Sequence, residues 1–178
     1  MPTPNLSLPQ FTVTDTAKLD TLLNGITASL DANIPAYVTT AINARVAYSS
    51  RTKSANQAIA TATWTLLTFQ TADGESGITY NAGTFTAPSP GMYMLSGSIS
   101  YASGNTTGQR TGGIYKNGSL SIQLPQMPPH TVGSNIVPIS AGMILAAGDT
   151  FAIYAYHSAG ANVNAELTKT TLAIARVA

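Results

Sequence analysis

The stretch Met92-Tyr93-Met94-Leu95-Ser96-Gly97-Ser98-Ile99-Ser100-Tyr101 decides how the rest of the chain is read. Tyr93, Leu95, Ile99 and Tyr101 share one parity with Gly97, while Ser96, Ser98 and Ser100 share the other. Side chains alternate along a strand, so this spacing predicts a strand with one core face and one polar face. The punctuation Pro88-Ser89-Pro90-Gly91 separates it from a shorter candidate strand at residues 83–87.

Working outward, residues 112–116 and 119–124 flank Asn117-Gly118. That dipeptide predicts a hairpin, because both central residues of a type I′ turn need φ > 0. Further strands are expected at residues 135–145, 150–157 and 165–177, with Gly148-Asp149 turning between the first two. Residues 126–133 contain Pro128, Pro129 and His130 and are expected to form a loop. Residues 45–48 and 64–69 are the earliest candidate strands, separated by a polar and partly looped segment at 49–63. About eight to ten strands with no helix between them predict a β-sandwich.

Two strands read as buried on both faces. In 150–157, Phe151, Ile153 and Ala155 lie on one face and Ala152, Tyr154 and Tyr156 on the other. In the last strand, Leu172 and Ile174 oppose Ala173, Ala175 and Val177. A sandwich covers one face of each strand, so the second face requires either a covering loop, such as 126–133, or another subunit. Tyr154 and Tyr156 are therefore expected near the axis of an oligomer.

The region before residue 45 has a different texture. Pro2, Pro4 and Pro9 lack the N–H that a helix or central strand uses, so residues 1–13 read as an extended arm. From Thr14 or Asp15, a candidate cap, Leu19, Leu23, Ile26 and Leu30 recur at helical spacing. Pro35 suits the start of a second short helix. Residues 14–44 are thus expected to be a short helical trimerisation segment, and 45–178 the β domain. Such short helices are marginal alone, which favours packing against copies of themselves.

Composition narrows the function. The chain has 178 residues, of which 44% are hydrophobic and only 8% charged, against about 25% charged in ordinary soluble domains. With a net charge of +1 and no basic stripe, nucleic-acid binding is disfavoured. No apolar run reaches the roughly 20 residues of a membrane-spanning helix, so no membrane insertion is expected. The opening Met1-Pro2-Thr3-Pro4-Asn5 lacks the charged start of a secretory signal. A near-neutral surface on a chain of this kind favours deliberate self-association.

Three short runs carry a family resemblance: Gly83-Thr84-Phe85-Thr86-Ala87-Pro88-Ser89-Pro90-Gly91-Met92-Tyr93, then Lys116-Asn117-Gly118, then Leu145-Ala146-Ala147-Gly148-Asp149. In this order and spacing they resemble the globular head of complement component 1q, of the tumour-necrosis-factor-like jelly-roll superfamily. The resemblance covers roughly residues 44–178. It implies an all-β jelly-roll sandwich assembled as a homotrimer, with apolar, often aromatic, faces around a threefold axis. The collagen stalk of the eukaryotic proteins is missing, and a short α-helical N-terminal segment takes its place. That combination looks like the heads of bacteriophage tail fibres and capsid fibres.

Chemistry-bearing residues are few. His130 lies in the proline-rich loop and His157 at a strand end, within reach of Asp149 across a hairpin; a structural role for both is favoured. Asp73-Gly74-Glu75 offers two carboxylates, too few for the six to eight oxygens that calcium takes, and reads as a solvated turn. No nucleophile and base motif occurs, so no enzyme activity, no metal and no cofactor are expected. The resulting expectation is a homotrimeric phage surface protein, made soluble in the host cytoplasm and displayed on the virion. Its arm would dock to other virion proteins. Loops 103–109, 126–133 and 158–162 would meet a host-surface glycan or protein. A capsid decoration or head-fibre protein is the alternative within that class. A bacterial surface adhesin or a glycan-active enzyme lies outside it, the enzyme lacking an acid pair.

Overall fold

The computed structural model describes residues 47–130, 132–167 and 169–177. The arm, the helical segment and the stripe Leu19, Leu23, Ile26 and Leu30 lie outside the described residues. Within them the chain forms β1 (Tyr48–Thr52), β2 (Gln57–Ile59), β3 (Thr65–Leu66), β4 (Thr71–Ser76), β5 (Thr79–Asn81), β6 (Thr84–Thr86) and β7 (Gly91–Tyr101). These are followed by β8 (Arg110–Lys116), β9 (Ser119–Gln123), β10 (Asn135–Leu145), β11 (Thr150–His157), β12 (Val163–Ala165) and β13 (Thr171–Val177).

The strands build two antiparallel sheets. The first runs β2-β12-β7-β13-β1-β4, with β10 also paired to β7. The second runs β5-β6-β11-β8-β9, with β3 also paired to β11. Most consecutive strands thus cross between sheets, the wiring of a jelly roll. The odd-numbered residues of β7 face inward as the alternation requires: Tyr93, Leu95, Ile99 and Tyr101 are all buried. They meet Ile114, Phe151 and Ile153 of the second sheet in one core. Phe85 and Phe151 stack there at 5.3 Å. Tyr101 also ties the sheets by hydrogen bonds, donating to the Thr111 carbonyl and accepting the Tyr156 N–H at 3.0 Å. Its burial pushes the phenol well above its usual range.

The resemblance-bearing runs form turns as their residues require. Asn117 and Gly118 both have positive φ, 49° and 81°, the type I′ pattern. Gly83 takes φ 102°, and a Cβ there would lie 2.8 Å from the Leu67 carbonyl oxygen, so only glycine fits.

Several sequence expectations need correction. The first strand is displaced from 45–48 to Tyr48–Thr52, and the polar segment 49–63 contains both β1 and β2. Polar side chains supply β1's inward positions: Ser49 and Arg51 are buried, so no apolar alternation marks it. Only Thr65 and Leu66 of 64–69 pair as a strand. Asp73-Gly74-Glu75 is not a turn but part of β4, an edge strand held to β1 and anchored by the ion pair between Glu75 and Arg51. The short β5 was not anticipated. The predicted strand at 165–177 is two strands, because Thr170 turns its hydroxyl to the Ser100 N–H at 3.1 Å and interrupts the ladder.

Candidate interaction surfaces

The three loops singled out in the sequence gather at one end of the sandwich, opposite Ala47, the first described residue. They adjoin the ends of β7, β8, β10 and β11 that bear Tyr101, Arg110, Asn135 and His157, where Asn135 pairs with Tyr101 and Arg110 with His157. Arg110 is buried beneath them and donates to the carbonyls of Asn105, Thr107 and Gln109 at 3.0, 3.1 and 3.2 Å. Asn105 and Thr107 in turn donate to the Ala159 carbonyl, each at 3.0 Å. Loops 103–109 and 158–162 are therefore one braced rim, built on a cation whose role the sequence did not announce.

His157 is part of this scaffold. It is fully buried; Nε2–H donates to the Ile59 carbonyl at 2.7 Å, and Nδ1 accepts the Ala159 N–H at 3.2 Å. Both ring nitrogens are satisfied by backbone, so the ring is not positioned as a base. Asp149 turns elsewhere, toward Asn117, Ala146 and Lys116, and the two do not meet. Among the described residues, no three His, Asp or Glu side chains converge on a common point.

Tyr154 and Tyr156 lie on the outer face of the second sheet, as parity demands. They are half-buried there, while Ala152 is buried. The cover is an aromatic ladder rather than loop 126–133. Tyr154 packs on Tyr115 at 4.0 Å, Tyr115 meets Trp64 edge-on at 6.0 Å, and Trp64 lies over Tyr156 at 5.1 Å. Gly113 makes room for this: a Cβ there would lie 3.0 Å from the Trp64 ring and 2.7 Å from Leu120. Beside the ladder is a hollow of about 190 Å³ bordered by Thr84, Tyr115, Gly118, Thr150 and Tyr154.

The outer face of the first sheet is different in kind. Ala173 and Ala175, read as a second buried face of β13, are exposed in the single chain, as is Val177 at 47%. Val177 pairs with Met92, and Met92 with Ile144, forming one row; Ala175, Met94 and Gly142 form the next. Met92, Met94 and Ile144 are 47%, 44% and 73% exposed. No outward-facing residue of β7, β10 or β13 is charged. Among the described residues the eleven-residue β10 pairs with β7 alone. The signal was present in the sequence: Met92 and Met94 occupy the parity of β7 that was read as polar.

No family model matches the sequence, and no curated protein does either. Solved structures do match. The tumour necrosis factor Eiger from S. frugiperda superposes with a TM-score of 0.57 at 12% identity, over 75% of this chain and 94% of that one. Murine APRIL at pH 8.0 superposes with a TM-score of 0.53 at 14% identity, over 74% of this chain and 99% of that one. The fold is thus the tumour-necrosis-factor-like jelly roll that the sequence resemblance implied.

Proposed function

We propose that this chain is the head of a non-enzymatic, homotrimeric virion surface protein that adheres to a host surface. Three copies pack through the outer face of the first sheet, and the braced rim of loops 103–109 and 158–162 is presented at the far end. The observation that carries this reading is the uncharged, exposed row formed by Val177, Met92 and Ile144 across β13, β7 and β10. Scattered exposed apolar residues are ordinary, but a contiguous patch with no charged member marks an interaction site.

In this arrangement Tyr154 and Tyr156 remain on the outside of the assembly, not at its axis. Residues 1–13 serve as the arm that docks to other virion proteins, and residues 14–44 continue the threefold contact. Adhesion through three copies offsets weak single contacts by avidity. Light scattering on the full-length chain tests the assembly, with a mass near three times 18.4 kDa expected. A monomer at micromolar concentration overturns it. Removal of residues 1–13 is expected to leave the oligomer intact and abolish incorporation into particles; normal incorporation removes the arm from the account.

A further inference from the structure

We propose that the hollow beside the aromatic ladder on the second sheet is a saccharide subsite taking one neutral hexopyranose ring. This deepens the adhesion reading, on which it rests for the ligand's setting on a cell surface, and it moves glycan contact from the loop rim to the sheet face.

The hollow holds about 190 Å³, below the roughly 300–1,000 Å³ of pockets for drug-sized ligands, so it accommodates a single ring. Its walls combine the two features that sugar recognition uses. Tyr115 and Tyr154, packed on one another, border the hollow and offer it apolar ring surface for the C–H face of a pyranose. The hydroxyls of Thr84, Tyr115 and Tyr154 hydrogen-bond to no described residue, leaving donors and acceptors for a polyhydroxyl ligand. Burial and the neighbouring Tyr154 push the Tyr115 phenol up. On the turn side the wall is Gly118, where a Cβ would meet nothing within 4 Å, so the approach is open.

The electrostatics select against an ionic ligand. No residue that borders the hollow is charged, and Lys116 and Asp149, beside Tyr115 and Thr150 in the chain, pair with each other at 2.9 Å. A neutral ring loses no ionic hydration on entry.

The test titrates the full-length chain with the methyl glycosides of glucose, galactose and mannose, with N-acetylneuraminic acid as the charged comparison. Trp64 is the only tryptophan, and its ring lies 6.0 Å from Tyr115, so its emission reports occupancy. A saturable change with a Kd of about 1 mM is expected for at least one neutral glycoside, the affinity of a ligand of roughly a dozen heavy atoms. The acid should give no saturable change. Thr84→Val and Tyr115→Phe should each weaken binding about 2–10-fold, with unchanged circular dichroism and melting temperature. Absence of saturation with all three glycosides overturns the subsite, as does binding that both variants leave intact. A trimer that binds no glycoside sinks this inference alone; a monomer whose glycoside binding falls in Thr84→Val sinks the assembly and keeps the subsite.

Discussion

The side-chain amide of Asn117 donates to the carboxylate of Asp149 at 2.8 Å, joining a hairpin tip to a turn 32 positions later. The other Asp149 oxygen accepts the Ala146 N–H at 2.8 Å and faces Lys116 Nζ at 2.9 Å. The Asn117 side-chain Oδ1 in turn accepts the Thr150 N–H at 2.8 Å. Next to them Ala87 accepts from Gly148 and donates to Asp149, both at 2.9 Å. The three separate runs that carried the family resemblance therefore meet in one hydrogen-bonded knot, which is why they occur together.

This knot makes stability acid-sensitive in a defined window. The Asn117 amide, the Ala146 N–H and Lys116 hold the Asp149 carboxyl at about 2, below its ordinary 3.8. A lowered folded-state value means that the stabilisation is complete above about pH 4 and is lost as pH falls toward 2. Melting temperature measured from pH 5 to pH 2 should fall in the native chain. In Asp149→Asn it should start lower and change less across that window. Parallel curves would remove Asp149 as the responsible group.

Gly113 sets the height of the aromatic ladder. Because an added Cβ would press on Leu120 and then on Trp64, Gly113→Ala should cost about 1 kcal/mol and Gly113→Val about 3. Denaturant unfolding measures the cost. Emission of the displaced Trp64 should move to longer wavelength in step with it, and an unshifted spectrum would show that the ring does not rest on Gly113.

The parts legible in the sequence are those where periodicity and turn chemistry agree. The β7 alternation and the Asn117-Gly118 turn were readable because each residue choice serves one local purpose. The first strand was not: β1 turns Ser49 and Arg51 inward and the chain just beyond it buries Lys53, satisfied by the Thr68 carbonyl at 2.7 Å and Gln57 Oε1 at 2.8 Å. Burial lowers the Lys53 amine to about 8, a sign of how unusual this inward cation is. Polar residues buried by tertiary partners look like loop residues until those partners are known. Likewise, parity correctly set Tyr154 and Tyr156 on one face, but Trp64, the residue that half-covers them, comes from a segment about 90 positions earlier, beyond the reach of any local pattern.

His157 should prove structural. Replacing it by alanine strips the Ile59 carbonyl and the Ala159 N–H of their partners inside a buried site, at an expected cost of about 3 kcal/mol. Urea denaturation should register that loss while the mass of the assembly stays unchanged. A variant as stable as the parent would mean that water replaces the ring without penalty.

The two sheet faces make opposite claims on the subunit interface, and one pair of substitutions separates them. Ile144 is 73% exposed in the single chain, so Ile144→Asp should alter the stability of an isolated subunit by no more than about 0.5 kcal/mol. If the first sheet is the interface, however, that carboxylate enters a buried apolar row beside Met92, and association fails. Ile144→Asp should then give a folded monomer by light scattering. Tyr154→Asp disturbs only the outer ladder and should remain trimeric, though less stable. The reverse pattern, a trimer for Ile144→Asp and a monomer for Tyr154→Asp, would return the threefold axis to Tyr154 and Tyr156. In that arrangement the hollow next to them would be closed against a partner, so the same result would also predict loss of glycoside access in the assembled protein.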